Sequence, residues 1–592
     1  MNNRKKRKYE GEYPTPLVIS EKVVEYLKKC FGDDWKEKYA VWDMTCGKGN
    51  LEYYLEDLKE LYLSTLNQED IDYMNEHGIL KNAKKFQYDY LNDDIVFMYG
   101  LKYISGKTPE KLNEYIENKG EGLIVLINPP YAEATGIQDI TKEGIKQTNF
   151  SVMMDDLGKA GNEIYAQILS RINKELPKAK ICIVSTMKYV TGDNFREFRE
   201  NWSRKYLGGF AVNSGIFEGV SQGFVIGILC WDAMGTEAGG IDCKGIEVDL
   251  LNKRMFFRKR KIYKSCLKKE YLKEKIKEEM KKLEGGDTEY TVPLSSAVSI
   301  IDEKKKNIKR KRLYGSLGYF TCGGNDRMAA NLMTNILSTV NGRGHGFFIT
   351  KENLYDVAVI FCIRKAEKIN WANNKDQFTK PEREFNEIEK NDFLVWMLFQ
   401  AMNLSSTLNV EYDGTEYRVR NNFIPYDDEM VGSEKGYKEI CLEKYYRWAG
   451  EEGKDGKERI GVLRGLDGKE VEFMSGGKEV GCMEIDNERY ICDLLMRKVC
   501  EGVIKDEALI VLEYGLKLWR KFYEMGIEGV EKSDRERYCL DTWNGRHGWY
   551  QIKKVLEKKD RKALLEFRRK YAELTKKVRM ILGLDVKSKI LK

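Results

Sequence analysis

The chain has 592 residues, 42% of them apolar, which is too many for one ordinary core and suits two or three domains. No run approaches the roughly 20 apolar residues a membrane-crossing helix needs, and Met1-Asn2-Asn3-Arg4 leads into charge rather than a signal-peptide core, so a cytoplasmic protein is expected. The net charge is only +7, but residues 253–312 hold 21 basic side chains against 9 acidic ones, a concentration suited to a polyanion's phosphates or, more blandly, to a solvated helix face.

Thirteen cysteines stand singly and there are three histidines, His77, His345 and His547. With no Cys-x-x-Cys pair, neither a metal site nor a disulfide framework is expected. Over the first ~250 residues, short apolar runs alternate with amphipathic stretches, the pattern of a doubly wound α/β domain with a largely parallel sheet. The expected strands are Tyr39–Trp42, Leu61–Leu66, Leu123–Ile127, Ala179–Ser185 and Phe224–Trp231, with helices near Glu21–Lys29 and Glu163–Lys174. After Trp231 the glycines Gly235, Gly239 and Gly240 break the pattern, and a Lys/Glu-rich segment, Lys264–Leu283, reads as an exposed helix ended by Gly285-Gly286. Residues 1–250 therefore form the first domain, 251–290 a basic linker and helix, and 291–592 a mixed α+β region, helical from about Ile491.

Three elements of the first domain carry chemistry. Val41 to Asn50 runs from a strand through Asp43 into Cys46-Gly47-Lys48-Gly49, and glycines at a strand-to-helix turn let backbone approach a nucleoside cofactor closely. Farther on, Phe86-Gln87-Tyr88-Asp89-Tyr90 offers Asp89 as a polar contact for an adenine ring, or as an ordinary turn residue. About 80 residues beyond the glycines, the strand Leu123–Ile127 delivers Asn128-Pro129-Pro130-Tyr131 to its carboxyl end, where doubly wound sheets place ligands. The prolines stiffen the backbone and remove donors, so the Asn128 side-chain oxygen and the Pro129 carbonyl can both accept from one substrate NH₂. Tyr131 supplies a face on which an extruded base can stack.

With Tyr13-Pro14-Thr15-Pro16 ahead of them, these motifs stand in the order Tyr-x-Thr-Pro, Gly-x-Gly, Asn-Pro-Pro-Tyr. In that order the first ~230 residues resemble the catalytic domain of gamma-class amino DNA methyltransferases, enzymes that move a methyl group from S-adenosylmethionine to the exocyclic nitrogen of adenine. The resemblance implies that Tyr13, Thr15 and Pro16 wall the cofactor pocket, that Asp43, Cys46, Gly47 and Gly49 line its methionine end with Asn128 beside them, and that Asp89 holds its adenine end. It implies an aromatic residue on the far face of the flipped base, best matched by Phe217, with Phe224 second. The chain departs from the family at Met44 and Lys48, where proline and serine are usual, and at Thr65, where an acid usually meets the ribose. Glu69 is the substitute carried forward, with Asp70 beside it.

The second half is expected to recognise double-stranded DNA. Lys259, Arg260, Lys309 and Arg310 would hold phosphates, and Asn325, Arg327, Asn374 and Gln377, on two polar loops, would meet base edges; capping and turn roles compete at each position. A late cluster, Trp543 to Tyr550, either joins them or packs a terminal helix. A monomer is expected, and whether a separate restriction endonuclease accompanies it stays open. Two other readings remain at this point: transfer to N4 of cytosine, whose enzymes favour Ser over Asn at the first place of the tetrapeptide, and a non-catalytic DNA-binding protein built on the same core.

Overall fold

Apolar runs short enough for strands line up into one sheet in the first half of the chain. A computed structural model describes residues 13–94, 106–130, 148, 150, 157–220, 223–235, 241, 245–264, 272–284, 317–337, 345–381, 383–400, 407–412, 415–449, 459–464, 470–474, 489–526, 530–537 and 548–584. The chain folds as two compact units, Met1–Tyr271 with Ile369–Thr379, and Leu272–Lys368 with Lys380–Lys592.

The first unit holds a sheet of β1 (Ala40–Asp43), β2 (Leu61–Thr65), β3 (Lys84–Gln87), β4 (Leu123–Ile127), β5 (Lys180–Thr186), β6 (Arg204–Asn213), β7 (Val225–Met234), β8 (Ile246–Leu251) and β9 (Phe257–Tyr263). Their spatial order is β3-β2-β1-β4-β5-β7-β6-β8-β9. Strands β3 to β5 in that row run parallel, β7 is antiparallel between β5 and β6, and β9 pairs antiparallel with β8. This is the doubly wound α/β sheet that the alternation predicts.

Strand β4 shows why it folds this way. All five of its residues are fully buried, and successive side chains enter opposite faces, as a period of two requires. Leu123, Val125 and Ile127 join one core with Leu112 of α3 (Glu110–Glu117) and Leu169 of α4 (Ile164–Glu175). Ile124 and Leu126 join the other, with Val23 and Leu27 of α1 (Leu17–Phe31) and Met74 of α2 (Gln68–Glu76). The strand order reverses between β1 and β4, which opens a crevice outside their carboxyl ends.

Four strands escaped the sequence reading. Lys84-Lys85-Phe86-Gln87 and Phe257 to Tyr263 are edge strands, paired on one side, so neither needs an apolar run; the expected basic linker thus begins inside the sheet. Strand β6 starts with charge and carries Gly208-Gly209, and β8 alternates buried with less buried positions. Among the described residues no helix is long and apolar enough to cross a membrane.

The second unit contains α5 (Leu272–Glu284), a three-stranded antiparallel sheet of β10 (Gly318–Cys322), β11 (Asn335–Leu337) and β12 (His345–Ile349), and two hairpins, β13–β14 (Thr407–Tyr412, Thr415–Arg420) and β15–β16 (Arg459–Arg464, Glu470–Met474). Its long helices are α6 (Leu354–Lys365), α7 (Glu387–Gln400), α8 (Tyr437–Ala449), α9 (Tyr490–Cys500), α10 (Asp506–Met525), α11 (Trp549–Lys559) and α12 (Arg561–Ile581). Aromatic rings join four of them: Phe399 meets Trp519, Trp549 and Phe567 at centroid distances of 6.2, 5.5 and 5.2 Å.

Candidate active site

At the carboxyl end of β4, Asn128 is half-buried and Pro129 buried. Asn128 Nδ2 donates to the Tyr13 carbonyl and to Thr15 Oγ1, each at 3.0 Å. Both amide hydrogens are thereby committed to the segment leading into α1, which fixes the orientation of the amide. Thr45 Oγ1 donates to the Asn128 carbonyl at 3.4 Å, and the same hydroxyl reaches Asp43 Oδ1 at 3.3 Å. Asn50 Nδ2 reaches the Thr15 carbonyl at 3.4 Å, and Ser20 Oγ the Asn50 carbonyl at 2.7 Å. Three stretches far apart in sequence, 13–20, 43–50 and 128–130, are thus stitched into one site by side-chain hydrogen bonds. Pro130 is half-buried beside them, and Tyr131 lies outside the described residues.

The glycine turn has the shape of a cradle. Gly47 and Gly49 both have positive φ, +52° and +73°, and a Cβ built at Gly47 would project into open space, whereas one at Gly49 would crowd Leu80 and Met74 at 3.1 Å. Gly47 thus leaves room for a ligand, and Gly49 seats the turn on the core. Cys46 is buried, its N–H donating to the Ser64 carbonyl at 3.1 Å. The departures at Met44 and Lys48 cost the turn nothing: Met44 is buried in the core, and Lys48 leans outward over the Tyr73 ring at 4.1 Å.

Two carboxyl groups lie fully buried beneath this turn. Asp43 accepts the Thr45 N–H at 2.6 Å, and burial pushes its pKa up to about 6 despite that bond. Glu52, buried in the run of turns that stands where the glycine motif leads one to expect a helix, is held well above the carboxylate range by burial first and by the charge of Asp43 second. No motif pointed to Glu52, which stands inside an otherwise apolar-looking stretch.

Past β2, Thr65 is buried and offers no acid. Glu69 is exposed. Asp70 is half-buried, its pKa raised by burial and pulled back by Lys48 of the glycine turn. Leu66 leaves 60% of its surface exposed at the same edge. Asp89 Oδ1 accepts from Leu91 N at 3.1 Å and Oδ2 from Asn92 Nδ2 at 2.8 Å, so its carboxylate closes its own turn.

On the other side of the edge, Phe217 is 5% exposed and packs in the core with Val212 and Ile226, while Phe224 is half-buried at the start of β7. Packing accounts for Phe217, and Phe224 is the ring left nearer the surface. Of the expected DNA contacts, Lys259 is exposed on β9 without an ion-pair partner among the described residues. Arg260 is paired, Nε to Asp249 Oδ1 at 2.9 Å. Asn325 sits on a turn whose Gly323 and Gly324 carbonyls are gripped by the buried Arg364 at 2.9 and 2.8 Å, and Arg327 pairs with Glu367. Asn374 is 5% exposed within the first unit, and Gln377 Nε2 turns back to the Lys375 carbonyl at 3.4 Å. Lys309, Arg310 and most of the Trp543–Tyr550 cluster lie outside the described residues.

A cavity of about 480 Å³ opens elsewhere, where β6 and β8 splay apart at the opposite edge of the sheet; its lining includes Lys29, Arg204, Tyr206, Trp231 and Asp249. Its charged groups already serve the fold: Arg204 makes four hydrogen bonds, among them one to the Leu176 carbonyl at 2.9 Å, and Asp249 accepts from Tyr26 and Arg260.

No protein-family profile and no curated protein matches this chain. Solved structures do. The methyltransferase subunit of a type I restriction-modification system from Streptococcus thermophilus is 15% identical over 44% of this chain and 51% of that one, with a TM-score of 0.28. A Listeria monocytogenes protein described as a class I S-adenosylmethionine-dependent methyltransferase is 14% identical over 40% and 65%, with a TM-score of 0.27. The DNA-bound ATP-dependent type ISP restriction-modification enzyme LlaBIII is 10% identical over 84% and 46%, with a TM-score of 0.35. The chain spans about half the length of the restriction-modification proteins it matches, and at these identities the likeness is one of fold alone.

Proposed function

We propose that this chain transfers a methyl group from S-adenosylmethionine to the exocyclic amino nitrogen of an adenine extruded from double-stranded DNA. The observation that carries the reading is the pair of 3.0 Å bonds from Asn128 Nδ2 to Tyr13 and Thr15, which hold the amide of the tetrapeptide in one orientation at the carboxyl end of β4. When bound, the cofactor supplies a methyl group already activated on a cationic sulfur. The open space at Gly47 and the exposed Leu66 fit such a ligand: Tyr13, Thr15, Pro16, Asp43, Cys46, Gly47 and Gly49 would hold its methionine end, Asp70 its ribose and Leu66 with Asp89 its adenine.

The chain's own work is positional. Asn128 Oδ1 and the Pro129 carbonyl accept the two amino hydrogens and so aim the nitrogen lone pair along the transfer axis. No strong base is required, because placement and fixed dipoles supply most of the rate. Phe224 is the ring best placed to stack on the base from the far side. The second unit would recognise the target, and Arg258 and Lys259 on β9 would hold phosphates, which position a duplex without reading it.

The test is direct. Purified protein, S-adenosylmethionine carrying a tritiated methyl group and duplex DNA are incubated, and the DNA is digested to nucleosides. Label in N6-methyladenosine's deoxy form is expected; label in N4-methylcytosine would reassign the base, and unlabelled DNA in the presence of bound cofactor would overturn the reading.

A further inference from the structure

Eleven residues, Ile369–Thr379, belong to the first unit although both flanking stretches belong to the second. Within this strap the turn is locked by its own hydrogen bonds: Asn373 Oδ1 accepts the Asn370 N–H at 2.7 Å, and Asn370 Oδ1 accepts the Ala372 N–H at 2.9 Å. It is fastened to the sheet edge by Lys261, whose Nζ donates to the Ala372 carbonyl at 2.5 Å and to Asp376 Oδ2 at 2.6 Å, and by the Tyr263 hydroxyl, which donates to the Ala372 carbonyl at 3.0 Å. Ala372 itself is part of the core packed on β4.

One side chain of the strap does something else. Asn374, only 5% exposed, donates from Nδ2 to the Gly223 carbonyl at 2.7 Å. Gly223 ends the loop between β6 and β7, whose stem is closed by Ser214 N to the Phe224 carbonyl at 2.7 Å and Phe224 N to Ser214 Oγ at 2.9 Å. Register places that loop at the carboxyl edge of the parallel strands: Ile127 of β4 lies beside Ile183 of β5, Thr186 beside Ile226 of β7, and Val225 beside Asn213. The loop therefore shares an edge with Asn128.

Asn374 Oδ1, by contrast, is buried with no partner among the described residues. A buried acceptor left unmatched opposes stability, so an asparagine here gains little for the fold beyond what alanine would give. Its useful act is the single bond to Gly223.

We propose that the Ile369–Thr379 strap is a wall of the target-base side of the active site, and that Asn374 is a positioning residue which holds Gly223, and through it the Phe224 ring, where an extruded base must stack. The inference rests on the methyltransferase reading given above and extends it to the substrate side. It also ties that loop, through one hydrogen bond, to a segment continuous at both ends with the second unit.

The test uses the full-length protein, its methylated motif first mapped in cellular DNA, and a duplex with 2-aminopurine at the target position. For Asn374→Ala the expected result is cofactor affinity within about twofold of wild type and an unchanged melting temperature, with kcat lowered ~10- to 100-fold, KM moved far less, and most of the 2-aminopurine fluorescence rise lost, as for a reacting group held out of place. Asn374→Leu, which keeps the approximate shape and removes the donor without burying a charge, should match it, and it decides the matter if the alanine variant folds poorly. Wild-type kcat and fluorescence in either folded variant would overturn the proposal, as would a loss of activity that always travels with lost cofactor binding and a lower melting temperature. A wild-type protein that methylates no DNA would instead remove the reading beneath it.

Discussion

The two sides of the proposed catalytic edge are built differently. On the cofactor side, groups from 13–20, 43–50 and 128–130 bond one another directly, each inside a short motif. On the target side, the loop between β6 and β7 has a buried phenylalanine, a half-buried one, and a tether that comes from 151 residues farther along the chain. On the proposed function the contrast has a reason: a cofactor is the same molecule in every turnover and suits fixed turns, whereas a target base would arrive with DNA, at a side made by a contact between distant parts of the sequence.

Filling the space at Gly47 should have the largest effect. Gly47→Val places a branched side chain at φ +52°, where L residues are strained, and in the volume assigned to the ligand. Cofactor affinity by calorimetry should fall at least ~30-fold, with DNA binding retained, since about 2 kcal/mol of strain and blockage suffices. Unchanged affinity would move the cofactor elsewhere.

A smaller effect separates the two acids after β2. Asp70→Asn should weaken cofactor binding roughly 5- to 10-fold, the scale of one charge-assisted hydrogen bond, and Glu69→Gln should leave it unchanged, because Glu69 is exposed and Asp70 is half-buried within the field of Lys48. The reverse order would restore Glu69 as the ribose contact.

The smallest effect concerns pH. Asp43 and Glu52 both have raised folded-state pKa values, so between the ordinary carboxylate range and those values the folded chain binds more protons than the unfolded one. Stability from this pair is therefore fully present at low pH and is lost as pH rises through the folded values, near 6 for Asp43. Glu52→Gln removes one of the titrating groups. In urea melts at pH 5 and pH 8, the variant should lose less stability than wild type on going from the lower to the higher pH; an equal or larger loss would mean that Glu52 is not held protonated under the turn.

How much of this could be read from the sequence follows the same division. Strand β4 was legible to the residue because both its faces are buried, which forces an uninterrupted apolar run. The motifs at 13–16, 43–49 and 128–130 were legible because glycine and proline state their backbone requirements openly. Strands β3 and β9 were not, since an edge strand is free to be Lys84-Lys85 or Arg258-Lys259-Arg260-Lys261. Nor was Asn374, whose polar loop suggested base reading and whose position in the fold gives it a partner at Gly223. Glu52 was invisible because burial, rather than residue type, makes it unusual.

An Asn128 that orients a base for methyl transfer must leave its mark on DNA. Modified-base sequencing of genomic DNA from cells expressing the wild-type chain and from cells expressing Asn128→Ala tests it most directly. Adenine methylation at one recurring motif with wild type, reduced about 100- to 1,000-fold in the folded variant, is the predicted result, the loss expected when a preorganised polar contact to the reacting group is removed. Equal methylation by both chains would contradict it.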